Sequence, residues 1–496
     1  MARPLAFIGF MGAGKSTAAK QAATALGVDV LDTDALFEER HGPIETFFAQ
    51  RGEGAFREQE AAIVQEAVDR AVGSGAVVSL GGGAVETPSV RSALGRTTVV
   101  WIDADAETCW KRCRGSGRPL AADRDAFADR FTRRRPLYET LAVVVLPAAN
   151  TAVAALPTIR ALPSGARVAW AHTAGGSYPV VAGHGVRSFD AGAPGRAFVV
   201  SDASVRARWA PDADHVIPSG EEHKSIATAT SLWTALLQAE VTRGDHVRAV
   251  GGGVLTDLAG FAAATYQRGI PVVQVPTTVV AQVDAAIGGK TGVDIPSGKN
   301  YVGAYHQPLA VLCDLDTLET LPAREHAAGY AEVVKTALIA GGSLWDAVKD
   351  GGPVDADVIF ACARTKVQVV GSDERDGGRR QVLNLGHTVA HAFEALSGFT
   401  MSHGEAVGLG LLAALRLSGQ DELRARVREL LLSRGLPVTI DGFDAREVVA
   451  TTRRDKKRVA ETVPFVLVAA PGDVTHGHRV DDAAVVAAVE ELGRAA

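Results

Sequence analysis

Three observations predict an α/β chain of more than one domain. Its 496 residues exceed what one hydrophobic core organises. Short apolar runs alternate with helical patterns through the first two thirds, the mark of parallel strands joined by crossover helices. After Pro322 long alanine- and leucine-rich helical patterns take over. The predicted class is therefore α/β: a parallel-sheet domain, a second strand and helix alternation of nucleotide-binding type, and a mostly α-helical last third.

In chain order, Leu5 to Phe10, Val28 to Leu31, Ala76 to Leu80 and Thr98 to Ile102 read as strands, and Lys15 to Leu26 as the first helix. Between Pro147 and Gly165 the chain is rich in Ala, Pro and Thr with little helical period, which predicts a short linker. The boundaries expected are 1–160 for the first domain, 161–167 for the linker, 168–320 for the second α/β part and 321–496 for the helical part. Arg167 to Ala171 and Tyr178 to Ala182 are expected to open the second domain, followed by strands Ala197 to Ser201 and Val247 to Val250. The later helices are His326 to Ala340, Val354 to Val370, Thr388 to Leu396, Glu405 to Leu417 and Glu422 to Arg434. No repeat of 20 to 50 residues is evident.

Hydrophobic residues at 47% and charged residues at 22% describe an ordinary soluble globular protein. A formal charge of -6 with interspersed signs argues against a nucleic-acid partner, and the run Arg133 to Arg135 suits a small anion better. The four cysteines form no CxxC pair, so reduced thiols are expected. No apolar run reaches the roughly 18 residues of a membrane helix, so no membrane association is expected. Met1 leads directly into the strand at Leu5, which leaves no room for a cleavable signal, and a cytoplasmic location is expected.

Gly9-Phe-Met-Gly-Ala-Gly-Lys-Ser-Thr17 fits GxxxxGK[ST], with a strand before it and a helix after it. Backbone amides of Gly12, Ala13 and Gly14 can turn toward phosphates, Lys15 can reach the terminal ones, and Ser16 can hold magnesium, with Thr17 beside it. Leu31-Asp-Thr-Asp34 ends the second strand, where its two carboxylates could serve the site or merely cap the next helix. Ser79-Leu-Gly-Gly-Gly-Ala-Val85 offers bare backbone to a ligand, and Gly117-Arg-Pro-Leu120 and Arg134-Arg-Pro-Leu-Tyr138 supply cations. Together these residues resemble shikimate kinase over residues 3 to about 150. The resemblance implies a P-loop kinase domain using ATP with magnesium, with Arg118 covering ATP and Asp34, Arg57, Gly82 and Arg134 holding shikimate. Asp34 and Lys15 are the expected catalytic residues, and Glu60, one turn after Arg57, its structural partner.

Downstream, Ala249-Val-Gly-Gly-Gly-Val-Leu-Thr-Asp257 follows a strand and opens a helix, a weak signal alone. Pro218-Ser-Gly-Glu-Glu-His-Lys-Ser225, Ala264-Thr-Tyr-Gln-Arg-Gly269, Val275-Pro-Thr-Thr278, Asp284-Ala-Ala-Ile-Gly-Gly-Lys290 and Gly298-Lys-Asn300 surround it. His387 and His391 share one helix face at a spacing of four, and the spacing alone does not choose between them as metal ligands. Residues 168 to 496 resemble 3-dehydroquinate synthase. The resemblance implies a Rossmann-like NAD-binding half and a helical metal-binding half. NAD would meet Asp202, Glu221, Lys224, Gly252, Gly253, Val254, Asp257, Thr277, Thr278, Lys299, Thr317 and Thr320. Glu332, His387 and His403 would hold one divalent metal, zinc or cobalt, with His391 in proton transfer. Asp284, Lys290, Asn300, Lys335, Lys366, Arg380, Asn384 and Lys456 would bind a phosphorylated sugar acid, with Arg268 reaching in from a partner subunit. A homodimer through this half is expected.

Three positions depart from the family pattern. Asp376 stands where glutamate is usual, which shortens a proton relay by one methylene; Ser204 replaces an asparagine; Thr317 is smaller than is common. Rival readings are a sugar-phosphate cyclase of secondary metabolism, a metal-dependent alcohol dehydrogenase that releases reduced NAD, and a regulatory protein with one dead site.

Overall fold

The computed structural model describes residues 3–114, 123–296, 298–398, 400–453 and 463–493. The chain divides into two compact units, Met1–His172 and Thr173–Ala496.

The first unit carries strands β1 (Leu5–Ile8), β2 (Val30–Asp32), β3 (Val77–Ser79), β4 (Thr98–Ile102), β5 (Val144–Leu146) and β6 (Arg167–Thr173). They lie in the order β2-β3-β1-β4-β5-β6 and every pair is parallel. Apolar side chains run on without alternation in β1, all four residues buried, as in sheets covered on both faces. The chain leaves β1 toward one edge and later returns to its other side at β4. This reversal opens a crevice beyond the carboxyl ends of β1 and β3, where ligands of open α/β sheets bind.

The helix Lys15–Leu26 lays Ala18, Ala19, Ala22 and Ala23 against the core. Small residues on that face allow close approach to the sheet. The helix Ile44–Ser74 is broken at Gly52, whose φ of 78° is not helical. Two sequence expectations need correction here. The stretch expected as linker contains a helix, Ala152–Ala161, which buries Ala155, Leu156 and Ile159 and packs on Lys15–Leu26. Pro157 sits inside it and interrupts the pattern, but burial of the apolar face outweighs the lost hydrogen bond. The strand at Arg167, expected to open the second domain, pairs with β5 through Val144 and Val168. Arg167 fastens it by donating to the carbonyls of Glu139 and Ala142 at 2.8 and 3.1 Å.

The second unit carries β7 (Gly176–Gly183), β8 (Ala197–Asp202), β9 (His215–Ile217), β10 (His246–Gly251), β11 (Val272–Pro276), β12 (Lys290–Ile295), β13 (Gly298–Tyr305), β14 (Ala310–Asp314), β15 (Phe465–Ala470) and β16 (Asp473–His478). Six of these form a parallel sheet in the order β7-β14-β11-β10-β8-β9. Its topological switch lies between β8 and β10, whose carboxyl ends carry Asp202 and Gly251-Gly252. β12 and β13 form an antiparallel hairpin. The sequence reading left out the hairpin β15-β16, which turns at Pro471-Gly472 with Gly472 at a φ of 90°.

The helical part contains Ala323–Ala340, Ala356–Ser372, His387–Leu396, His403–Leu417 and Asp421–Ser433, close to the patterns read from sequence. Two close crossings set their arrangement. A Cβ on Gly404 would come within 2.2 Å of Ala328 backbone, and one on Gly410 within 2.1 Å of the Gly386 carbonyl. Backbone therefore touches backbone between three helices. Among the described residues, no helix is long and apolar enough to cross a membrane.

Candidate functional site

In the first unit the loop after β1 turns with Gly12 at a φ of 78° and Gly14 at 103° as the N-cap of the helix Lys15–Leu26. A Cβ on Gly12 would lie 2.7 Å from the Cys109 carbonyl and from Cys113 Sγ, so only glycine fits. Gly12, Ala13, Gly14, Lys15, Ser16 and Thr17 thus form one turn at a helix N-terminus, where amides face anions. Lys15 is buried and donates from Nζ to the Phe10 carbonyl at 3.0 Å. Ser16 Oγ lies 3.3 Å from Ser79 Oγ at the end of β3. Arg112, which the sequence reading did not single out, donates to the Gly12 and Ala13 carbonyls at 3.1 and 3.3 Å. Arg118 lies outside the described residues.

Asp32 takes the capping role, accepting from the amides of Asp34 and Ala35 at 3.1 and 3.4 Å. Asp34 and Glu60 flank bare backbone: a Cβ on Gly81 would stand 2.6 Å from a carboxylate oxygen of each. Glu60 pairs with Arg57 at 2.6 Å. Burial raises the Glu60 pKa, against the pull of Arg57. The Gly82 carbonyl accepts from the Tyr138 hydroxyl at 2.5 Å.

Glu86 is a further residue that sequence reasoning missed. It accepts from Arg134 Nε and Nη2 at 2.9 and 2.7 Å and from Arg133 at 3.2 Å, and lies 3.7 Å from Arg57. Burial opposes its ionisation, but the Arg134 hydrogen bonds prevail and its pKa falls. Arg57, Arg134, Asp34 and the glycines of 81–83 thus share one crevice.

In the second unit, Asp202 ends β8 and accepts from the Ser204 amide and Ser219 Oγ at 2.9 and 3.0 Å, and from Ser204 Oγ. A Cβ on Gly251 would meet Asp202 at 2.7 Å, and one on Gly252 would meet Thr278 at 3.1 Å. Gly253 and Val254 begin the helix Gly253–Thr265 behind that turn. Lys224, buried, donates to Asp257 at 2.6 Å and to Asn300 Oδ1 at 2.7 Å. Burial disfavours the Lys224 charge, but Asp257 and Glu221 more than restore it. Asn300, expected beside the sugar acid, therefore sits with residues expected to hold the dinucleotide.

Thr277 is buried, and its hydroxyl has no hydrogen-bond partner among the described residues. Thr317 is committed to the fold through the Asp314 carbonyl at 2.6 Å and Gln282 at 3.2 Å. Thr320 accepts from Trp209 Nε1 at 2.7 Å, a pairing across 111 residues that sequence spacing does not disclose. Lys299 lies 3.5 Å from Glu221.

The helical part brings three dispersed ligand types together. Glu332, His387 and His403 each present one atom, all within 4.8 Å of one another. The contact of Gly404 on Ala328 explains this, since His403 precedes Gly404 and Glu332 lies one turn beyond Ala328. The Gly386 to Gly410 contact does the same for His387. His403 Nε2 and His387 Nε2 approach Glu332 Oε1 at 3.1 and 3.5 Å. His387 Nδ1 faces the Leu385 carbonyl at 3.1 Å, which fixes the tautomer whose Nε2 is turned toward Glu332 and the cluster. Burial opposes a charge on His403, but bonds to Glu332 and Glu394 hold its pKa up at about 10. His391 stands one turn on, its ring 5.5 Å from that of His387.

Cations ring this centre. Lys335 lies 2.5 Å from Glu332 and 3.7 Å from Asp284, and Lys366 also bonds Asp284. Burial lowers Lys366 to about 8 against the pull of Asp284, while Asp284 and Glu332 keep Lys335 raised against its own burial. Lys290 pairs with Asp376, a residue at a φ of 64°. Arg380, 1% exposed, donates to the carbonyls of Glu374 and Gly288 at 2.5 and 2.9 Å. Asn384 closes the turn Arg379–Asn384 just before Gly386. Arg268 is exposed on its own turn at a φ of 68°. Lys456 lies outside the described residues.

Fold and sites together define two nucleotide-type α/β units on one chain: one with a phosphate-binding loop, the other with a glycine turn at the switch point of its sheet and a metal-ligand cluster. Family comparison particularises both. The model described as Shikimate kinase matches residues 11–159, and those for the 3-dehydroquinate synthase N-terminal and C-terminal parts match 214–328 and 329–458. The 3-dehydroquinate synthase of Symbiobacterium thermophilum is 44% identical over 293 residues, 56% of this chain and 82% of that one. That of Caulobacter vibrioides is 44% identical over 299 residues, covering 56% and 80%. The chain belongs to the 3-dehydroquinate synthase family, with a shikimate kinase domain ahead of it.

Among solved structures, a 2-epi-5-epi-valiolone synthase from Streptomyces hygroscopicus subsp. jinggangensis 5008, with NAD+ and Zn2+ bound, is 28% identical. Its TM-score is 0.59, over 64% of this chain and 97% of that one. A 2-deoxy-scyllo-inosose synthase, complexed with carbaglucose-6-phosphate, NAD+ and Co2+, shares the fold at 24% identity. Its TM-score is 0.58, over 65% of this chain and 99% of that one.

Proposed function

We propose that the chain is a bifunctional enzyme of the shikimate pathway. Residues 1–160 transfer phosphate from ATP to shikimate, giving shikimate 3-phosphate. Residues 173–496, an NAD-binding half to 320 and a helical half from 321, convert 3-deoxy-D-arabino-heptulosonate 7-phosphate to 3-dehydroquinate and phosphate. The observation that carries the reading is the Glu332, His387 and His403 cluster beside Lys335 and Lys366, in a chain 44% identical to a 3-dehydroquinate synthase.

For the kinase, amides of Gly12 to Gly14 and the Lys15 ammonium neutralise the transferring phosphate, while Ser16 would hold magnesium. Arg57 and Arg134 fix the shikimate carboxylate. Asp34, beside the bare backbone of Gly81, accepts the proton of the attacking hydroxyl. Lys15 bends toward a carbonyl only 3.0 Å away, so a nucleotide phosphate offers it a stronger, charged partner.

For the cyclase, the donor set of one carboxylate and two imidazoles fits zinc or cobalt with positions left open. Asp202, the glycine turn at 251–253, Lys224, Asp257, Thr277 and Lys299 fit NAD at the switch point of the sheet. When bound, NAD takes up and returns a hydride and the divalent ion polarises the oxygen at the carbon being oxidised. Lys290, Lys335, Lys366 and Arg380 hold the substrate's phosphate and carboxylate. His391, adjoining His387, moves a proton at the oxidised centre. The bond electrons left by the acidic C–H form the double bond as the C–O bond to phosphate breaks. With the hydride returned there would be no net oxidation; the ring C–O bond of the hemiketal then breaks to free a ketone, and the enol carbon left by elimination bonds to it in the aldol closure. We read the cyclase part as a homodimer to which Arg268 contributes across subunits, and the enzyme as cytoplasmic.

One preparation tests both halves. Shikimate with ATP and magnesium is expected to yield ADP; the sugar acid with NAD and cobalt is expected to release phosphate without NADH. Accumulating NADH without phosphate contradicts the cyclase reading in favour of a dehydrogenase.

A further inference from the structure

Glu394 belongs to none of the residue sets assigned above, yet it is buried within the helix His387–Leu396, two turns after His387. Carboxylates are seldom buried without a partner that uses their charge. Its Oε1 lies 3.4 Å from His403 Nδ1, while the opposite ring nitrogen, Nε2, faces Glu332 at 3.1 Å. The imidazole is therefore held between two carboxylates, one at the metal cluster and one behind it. The same Glu394 Oε1 lies 4.0 Å from Lys299 Nζ, which is 3.5 Å from Glu221.

We propose that Glu394 is the positioning residue of the metal centre. By accepting the Nδ1 hydrogen of His403 it fixes the tautomer whose Nε2 lone pair points at the divalent ion, and it raises the basicity of that ligand. Through Lys299 it joins the ligand to Glu221 on the dinucleotide side. His387 achieves the same end with a backbone carbonyl, so Glu394 makes His403 the ligand that side-chain chemistry controls. The proposal rests on Glu332, His387 and His403 being the metal ligands.

The test is cobalt(II) titration of the metal-stripped full-length chain, followed by visible d–d absorption, for wild type, Glu394→Ala and Glu394→Gln. Removing such an outer carboxylate weakens metal binding about 10- to 100-fold. Glu394→Ala is expected to show that loss, and Glu394→Gln, whose amide oxygen can still accept from Nδ1, to recover most of the affinity. The melting temperature of the metal-free protein is expected to stay within a few degrees of wild type. Unchanged cobalt affinity in Glu394→Ala overturns the proposal. So does equal weakening in both variants with a fall in metal-free melting temperature, which marks a role in packing alone. Failure of the wild type itself to bind cobalt defeats instead the reading of the three ligands.

Discussion

Substituting Gly404 by alanine tests whether helix packing builds the metal centre. The new Cβ would stand 2.2 Å from both Cα and the carbonyl oxygen of Ala328, atoms of a helix backbone that cannot rotate aside. Ordinary carbon contacts need about 3.5 Å or more, so the two helices must part by roughly 1 Å. Overpacking of this kind costs about 1–3 kcal/mol. The same displacement carries His403 away from Glu332, now 3.1 Å apart, and a misplacement of about 1 Å can cost about a hundredfold in a catalytic site.

Gly408, one turn along the same helix, supplies the control: the nearest atoms to its added Cβ would be those of the flexible Leu431 side chain, at 3.4 Å. Gly408→Ala should be neutral or more stable by up to about 1 kcal/mol through helix propensity. Cobalt affinity and phosphate release are the assays, with shikimate phosphorylation as the internal standard. Gly404→Ala is expected to lose cobalt binding and cyclisation while kinase activity stays at the wild-type level. Wild-type cobalt affinity in Gly404→Ala would refute the packing argument.

Lys15→Ala should abolish shikimate phosphorylation and spare cyclisation, and His387→Ala should do the reverse; loss of both activities in one folded variant refutes independent sites. Glu86→Ala leaves buried Arg134 without its carboxylate. We expect thermal unfolding to show a loss of about 1–3 kcal/mol, less than for a fully buried pair because 24% of the Glu86 side chain meets solvent. For Lys366, burial lowers the pKa to about 8, so its charge is present below that pH and lost above it. The KM for the sugar acid should therefore rise above pH 8 by a step absent from Lys366→Met. The unfolded chain binds more protons than the folded one between about 8 and 10.5, so this residue's contribution to stability increases with pH across that window. Urea unfolding across that range checks the sign.

Local chemistry made part of this molecule legible in sequence. The phosphate loop is a contiguous motif, and Gly12 and Gly14 take the positive φ angles it implies. The helices of the last third follow their apolar period to within a few residues. Pro157 hid the helix Ala152–Ala161, because the stabilising contact comes from Lys15–Leu26, far away in sequence. The hairpin β15-β16 did carry a signal, an apolar run ended by Pro471-Gly472. Glu86, Arg112, Trp209 and Glu394 were not legible. Each owes its place to a partner on another element, Glu86 to Arg134 and Trp209 to Thr320, and neither spacing nor propensity encodes that. Asn300 shows the same limit: its motif and that of Lys224 were visible, but the hydrogen bond between them was not.

The most direct measurement is X-ray absorption fine structure on zinc-reconstituted, full-length protein. Two imidazole nitrogens at roughly 2.0–2.1 Å and a carboxylate oxygen are expected, with one imidazole lost in His403→Ala. A zinc shell with sulfur, or with imidazole scattering unaltered by His403→Ala and His387→Ala alike, would contradict the centre described.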